Sequence, residues 1–164
     1  LKRSYIKRGK KKLGPSQKPE AIARRVCDYM WGTLIILRDQ VCMYCHKNIA
    51  TVGHHIFAKK DCPRTRYELL CGIGLCIGCH DPKIGGVAHT NPEAVRHINK
   101  AKVGKGWDAL KARALMPGKV NHDFKLIEIM LWQDFKAYHI YKPEGWDGWK
   151  EWKKIKWLRE VRNG

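Results

Sequence analysis

Acidic residues are scarce in this sequence: 15 Asp and Glu stand against 33 Lys and Arg, a formal net charge of +18 over 164 residues. So large an imbalance argues against an ordinary enzyme of small neutral substrates. It points to a polyanionic partner, because Lys and Arg that neutralise phosphates release counterions. An anionic membrane surface would also attract this charge, but the motifs below favour nucleic acid. No apolar run reaches the roughly 18 residues that a spanning helix needs, so no membrane segment is expected. The basic opening "LKRSYIKRGKKKLG" is not followed by an apolar signal-peptide core. No internal repeat is present. With no secretion signal and two CxxC pairs among seven cysteines, zinc in a reducing compartment is expected rather than disulfides, and hence a cytoplasmic location.

A hydrophobic content of 44% is enough to bury a core, and the length suits one compact domain or a small domain with extensions. Residues 1–18 read as a basic arm, either a solvated tail or a segment that tracks DNA. Residues 19–40 read as a helix with Pro19 in its first turn and an apolar face of Ile22, Val26, Tyr29, Met30, Thr33, Leu34 and Leu37. Cys27, in that helix, has no CxxC partner and reads as a buried small hydrophobe. "TVGHHIF" and "YELLCGIGL" suit short strands, and "DPKIGG" suits a loop. "NPEAVRHINKA" suits a helix capped by Asn91, "GWDALKARALM" a second, and "HDFKLIEIMLWQDFKAY" a third. Trp149, Trp152, Lys153, Lys154, Lys156 and Trp157 interleave aromatics with cations near the end of the sequence. Stacking on bases is one reading; packing of a helix on the domain is the plainer one.

Cys42-x2-Cys45 and Cys76-x2-Cys79 stand 30 residues apart. A CxxC turn puts two sulfurs on one side of a tetrahedron, and two such turns complete it. Four thiolates leave no open position for water, so this zinc is expected to be structural. Cys62 and Cys71 are left over and have no place on it.

His54, His55, His80 and His89 are then free for other work. Neighbours on a strand point to opposite faces. His54 and His55 therefore share one site only if the chain bends, which Gly53 would ease.

"RDQVCMYCHK…GHHIF…TRYELLCGIGLCIGCH…AHTNPEAV", over about residues 28–115, resembles the zinc-containing HNH endonucleases, especially a form common in phage genomes. Arg38-Asp39 ahead of Cys42 and the "ALKARA" run at 109–114 share in the likeness. The resemblance implies an α+β fold: a small ββα-metal (HNH) core braced by a four-cysteine zinc site and flanked by several α-helices. Residues 19–115 would form that nuclease domain with its flanking helices, between the basic arm at 1–18 and a C-terminal helical extension at 116–164. It implies divalent-metal-dependent cleavage of DNA phosphodiester bonds. His55 matches the family's general base. His54 and His80 match ligands of the catalytic ion, and His89 resembles a further one. That ion is expected to be Mg²⁺ or Mn²⁺, although imidazoles also accept Ni²⁺, Co²⁺ or Zn²⁺.

The sequence departs from the family at one place. The asparagine that gives HNH its middle letter is Cys71 here. In many family members that asparagine braces a loop through backbone hydrogen bonds, and a thiol bonds only weakly. Slower catalysis or a substitute brace is expected.

Lys59, Lys60, Arg64 and Arg66 follow the histidine pair. They read as phosphate contacts beside the scissile bond or as a solvated charge run; the family often carries an Arg at the position of Arg66. DNA is the expected partner, cut by nicking or by paired nicks, and a second copy or other phage proteins are compatible partners. The competing reading is a non-catalytic zinc-stabilised nucleic-acid-binding module, which needs the cysteines and the charge but not the histidines. A protein-interaction module would leave the charge unexplained.

Overall fold

The computed structural model describes residues 18–138. The basic arm, apart from Lys18, and the terminal Trp/Lys segment lie outside the described residues. Helix α1 spans Pro19–Asp39, strand β1 Val52–His55 and strand β2 Gly72–Leu75. Five helices follow: α2 Ile77–His80, α3 Val87–Thr90, α4 Pro92–Val103, α5 Trp107–Leu115 and α6 Phe124–Ala137. The architecture is α+β, with one two-stranded antiparallel sheet in which His54 pairs with Ile73 and His55 with Gly72. Among the described residues no helix is long and apolar enough to cross a membrane.

Helix α1 starts with Pro19 in its first turn and ends with Arg38 in its last, where a cation meets the negative end of the helix dipole. Val26, Met30 and Leu34 are buried as the periodicity predicts, and Cys27 is buried as a small hydrophobe, but so are Trp31 and Ile35. The buried arc is wide because α1 packs on two partners, α6 on one side and the β-hairpin on the other. Burial of each large apolar side chain here contributes about 1.5–3 kcal/mol.

Two cores result. One joins α1 to α6 through Leu131, Trp132 and Phe135. The 116–164 segment therefore supplies part of the wall behind α1, through α6. On α6, Ile129 lies on the exposed face rather than the packed one. The second core holds Cys42, Cys76, Ile73, Leu75, Val95, Trp107 and Leu110. The expected Asn91 cap is present, accepting from the Ala94 N–H at 3.2 Å. Asp123 caps α6 by accepting from Lys125 and Leu126 N–H.

Glycine decides how α1 meets the hairpin. A Cβ on Gly53 would lie 2.8 Å from the Gly32 backbone of α1, and one on Gly72 would lie 2.4 Å from the Trp31 ring. Gly53 is thus needed for close approach, not for a bend, and β1 continues as a regular strand through His55. The bend that would let His54 and His55 share one face is absent.

The end of α1 is fastened by charge. Asp39, whose side chain is 3% exposed, receives Arg38 at 2.7 and 2.8 Å, the Gly74 N–H at 2.7 Å, and Lys102 of α4. Arg38 also donates to the carbonyls of Leu69 and Gly72. Burial alone would raise the Asp39 pKa; Arg38, Lys102 and the Gly74 N–H outweigh it and hold the carboxyl below its ordinary value.

Candidate metal centres and histidine cleft

The Sγ atoms of Cys42, Cys45, Cys76 and Cys79 all lie within 4.8 Å of one another. Thiolates about 2.3 Å from a tetrahedral zinc stand roughly 3.8 Å apart; Cys45 and Cys76 are 3.9 Å apart. The four could hold a metal ion such as zinc. The first turn is closed by a bridge between Val41 and Ile49. The N–H groups of Lys47 and Asn48 hold the Cys45 thiol below its ordinary pKa, while burial and the neighbouring thiols push that of Cys79 up. Cys42 and Cys76 are buried and stand among the residues of the second core. Cys62 and Cys71 are buried outside this cluster.

A second donor set lies beside the first. Ring nitrogens of His54 on β1, His80 at the end of α2 and His89 in α3 come within 4.8 Å of one another. Their ring centroids stand 4.9 to 5.3 Å apart, edge to face. His54 and His80 are half-buried, and His89 is exposed. Burial lowers the His54 pKa to about 4, with His80, His89 and Lys59 pushing the same way, and it lowers that of His80 too. Both effects favour the neutral imidazole, the form that binds metal. One short helix serves both sets, since Cys79 and His80 are consecutive in α2.

His55 points to the other face of β1. Its ring stacks on Trp31 with centroids 3.5 Å apart. The opposite strand places Gly72 beside it, so the imidazole and the indole fill this contact with no competing side chain. Nε2 lies 2.9 Å from the carbonyl oxygen of Arg66. A carbonyl only accepts, so Nε2 carries the proton and Nδ1 keeps the free lone pair. Burial lowers the His55 pKa to about 4, against the opposing pull of the Arg66 carbonyl.

His54 and His55 nevertheless line one cleft of about 640 Å³. Five consecutive residues, Val52 to Ile56, border it, so it follows the edge of β1 that β2 leaves unpaired. From an edge, side chains on both faces are within reach, and no bend is required. His80, His89, Lys59 and Arg96 complete the polar lining, which contains no carboxylate.

Of the four cations expected at phosphates, Lys59 lines the cleft and Lys60 is exposed beside it. Arg64 points elsewhere, towards the Pro117 carbonyl at 3.4 Å. Arg66 is held by Asp28 through two bonds of 2.9 and 2.6 Å. What Arg66 brings to the site is its backbone carbonyl, aimed at His55. Sequence reasoning missed Asp28, Trp31 and Arg96. An acid three residues before a tryptophan, in the middle of a helix whose neighbouring charges are basic, was the available signal for the first two.

No family model matches the chain, and neither the curated proteins nor the solved structures include a match to it.

Proposed function

We propose that the chain is a metal-dependent DNA endonuclease of HNH type, hydrolysing phosphodiester bonds in the histidine cleft. The observation that carries this reading is the meeting of three imidazoles with a fourth of fixed tautomer, His55, in one basic cleft without carboxylates.

The donor set fits a borderline ion better than a hard one. Imidazole suits Zn²⁺, Ni²⁺ and Co²⁺, whereas Mg²⁺ favours oxygen ligands. Among the ions expected from sequence, Mn²⁺ therefore suits better than Mg²⁺. Held by His54, His80 and His89, such an ion would supply Lewis-acid neutralisation of phosphoryl charge. His55 accepts a proton from water at Nδ1, while Trp31 and the Arg66 carbonyl fix its ring. An anionic phosphate beside the ring raises its pKa from the low value of the free cleft towards the working range of a base. Asp28 holds the Arg66 segment in place. Lys59 and Arg96 attract and orient the phosphates.

The altered middle position has a substitute. Asn99 of α4 is fully buried and donates from Nδ2 to the Leu70 carbonyl at 2.9 Å, just ahead of Cys71. The next carbonyl, that of Cys71, accepts from Ile56 N–H beside His55. Asn99 thus braces from α4 the loop that Cys71 could brace only weakly.

Supercoiled plasmid incubated with the chain and Mn²⁺, Ni²⁺, Co²⁺ or Mg²⁺ tests the reading. Nicking that needs added metal, and that His55→Ala reduces by about 10²–10⁴-fold, is expected. An intact plasmid under every metal sinks it, and leaves the non-catalytic binding module in its place.

A further inference from the structure

We infer that the groove between α4 and α5 is a second polyanion site, which holds the phosphodiester backbone of DNA on one side of the histidine cleft. The inference rests on the nucleic-acid part of the reading above, not on cleavage.

The groove has a volume of about 470 Å³. Arg96, His97 and Lys100 of α4 form one wall, at the spacing that puts i, i+1 and i+4 on one helix face. Trp107, Lys111 and Leu115 of α5 form the other, again one turn apart. Phe57 stacks on Trp107 beneath them, with centroids 5.8 Å apart. Arg96 lines both this groove and the histidine cleft, so the two adjoin at that residue. Lys59, at the cleft, extends the same positive track.

Charge and burial select the ligand. The one carboxylate in either lining is Glu93, which is already paired with Arg96. Lys59, Lys100 and Lys111 form no ion pair among the described residues. Trp107 is only 7% exposed, so its ring is not open for a base to stack on. Unpaired lysines above a closed apolar floor suit phosphates, not base edges. None of Arg96, His97, Lys100 or Lys111 belongs to the charge run after the histidine pair, and α4 and α5 bring them together only in the fold.

The test is binding of a fluorescent 30-base-pair duplex by anisotropy, without added divalent ion, across a salt series. The variants are Lys100→Gln/Lys111→Gln in the groove and Lys125→Gln/Lys136→Gln on α6, with equal loss of charge. All four lysines are exposed, so equal melting temperatures are expected. The groove pair should weaken binding at least about tenfold at 150 mM salt and flatten the log K against log salt slope by about 2, the loss of two phosphate contacts. The α6 pair should weaken it less than about threefold. Equal loss from both pairs, or none from the groove pair, overturns the inference. So does a wild type that binds anionic vesicles but no duplex. Selective loss in the groove pair, in a protein that never nicks plasmid, overturns the nuclease reading and leaves the groove standing.

Discussion

The cysteine cluster and the histidine cluster share α2, yet one is sealed and the other open. Cys42 and Cys76 are 0% and 5% exposed and stand inside the second core. His54 and His80 are half-buried, His89 is exposed, and all three border a cleft. Cys45 and Cys79 are half-buried against that core, and four thiolates around one ion can hold the chain together but leave no open position for a substrate. An open site adds little to the fold and leaves space for one. Cys79 and His80 are consecutive in α2, so disturbing the cysteines also displaces a histidine.

The largest break should therefore come from the sealed side. Cys76→Ser removes one of four thiolates, and metal-binding energy in such sites is folding energy. We expect loss of bound zinc, loss of the cooperative melting transition of the second core, and loss of any nicking. Zinc content and circular dichroism melting check it. If Cys76→Ser keeps its zinc and melts like wild type, the cysteines are not the structural site.

Next comes the open side. His54→Ala should reduce metal-supported nicking by about 10²-fold or more, while shifting the melting temperature by no more than about 1 °C, as for a change of a few tenths of a kcal/mol. Zinc content at the cysteines should stay the same. A melting loss as large as that of Cys76→Ser would show that the two clusters are one structural unit, and the comparison would collapse.

How far each cluster was legible follows from its chain separation. The cysteines announce themselves in two local turns, and helix limits such as Pro19 and the Asn91 cap are equally local signals. The resemblance joined His54 and His80, but the way they meet depends on β1 pairing with β2, a long-range fact. Gly53 could be read only as an aid to a bend because nothing in the sequence says that Gly32 of α1 will lie against that strand. Arg66 looked like a free cation because its partner, Asp28, is 38 residues away. Asn99 is likewise invisible as a brace until α4 is laid against Leu70.

The bracket at the end of α1 ties both sites to one scaffold, and it ranks third. Asp39→Asn leaves Arg38 and Lys102 without their buried counter-charge, a loss of about 3 kcal/mol. The pH dependence has a definite sign. The folded carboxyl titrates below the ordinary 3.8, so its contribution is complete above that value and is lost as pH falls through the lower folded value. The stability gap between wild type and Asp39→Asn, read by urea unfolding, should be flat from pH 8 to pH 5. A gap that closes within that window contradicts the ion-pair account.

A smaller effect separates the two routes to a braced loop. Asn99→Ala removes a donor from the Leu70 carbonyl and should cost about 1–2 kcal/mol. A purely structural role would lower stability alone. A positioning role also lowers kcat for nicking at saturating DNA, and Cys71→Asn in the Asn99→Ala background should restore part of it. Failure of Cys71→Asn to recover any rate would deny that the two positions serve the same loop.

The smallest expected change lies within the first cysteine turn. His46, just after Cys45, has φ of 53°, in the left-handed region. Its backbone N–H closes the turn onto the Cys42 carbonyl at 2.9 Å, so the conformation is fixed by the fold and not by the side chain, which is exposed. A non-glycine residue there costs about 1 kcal/mol, and part of that gain is lost to the greater freedom of glycine in the unfolded chain. His46→Gly should thus stabilise by no more than about 1 kcal/mol, or about 2–4 °C in melting temperature, with nicking unchanged. This is the reverse of the His54→Ala pattern, stability without activity against activity without stability. If His46→Gly slows nicking, His46 has a chemical role that its place on the sealed side does not suggest.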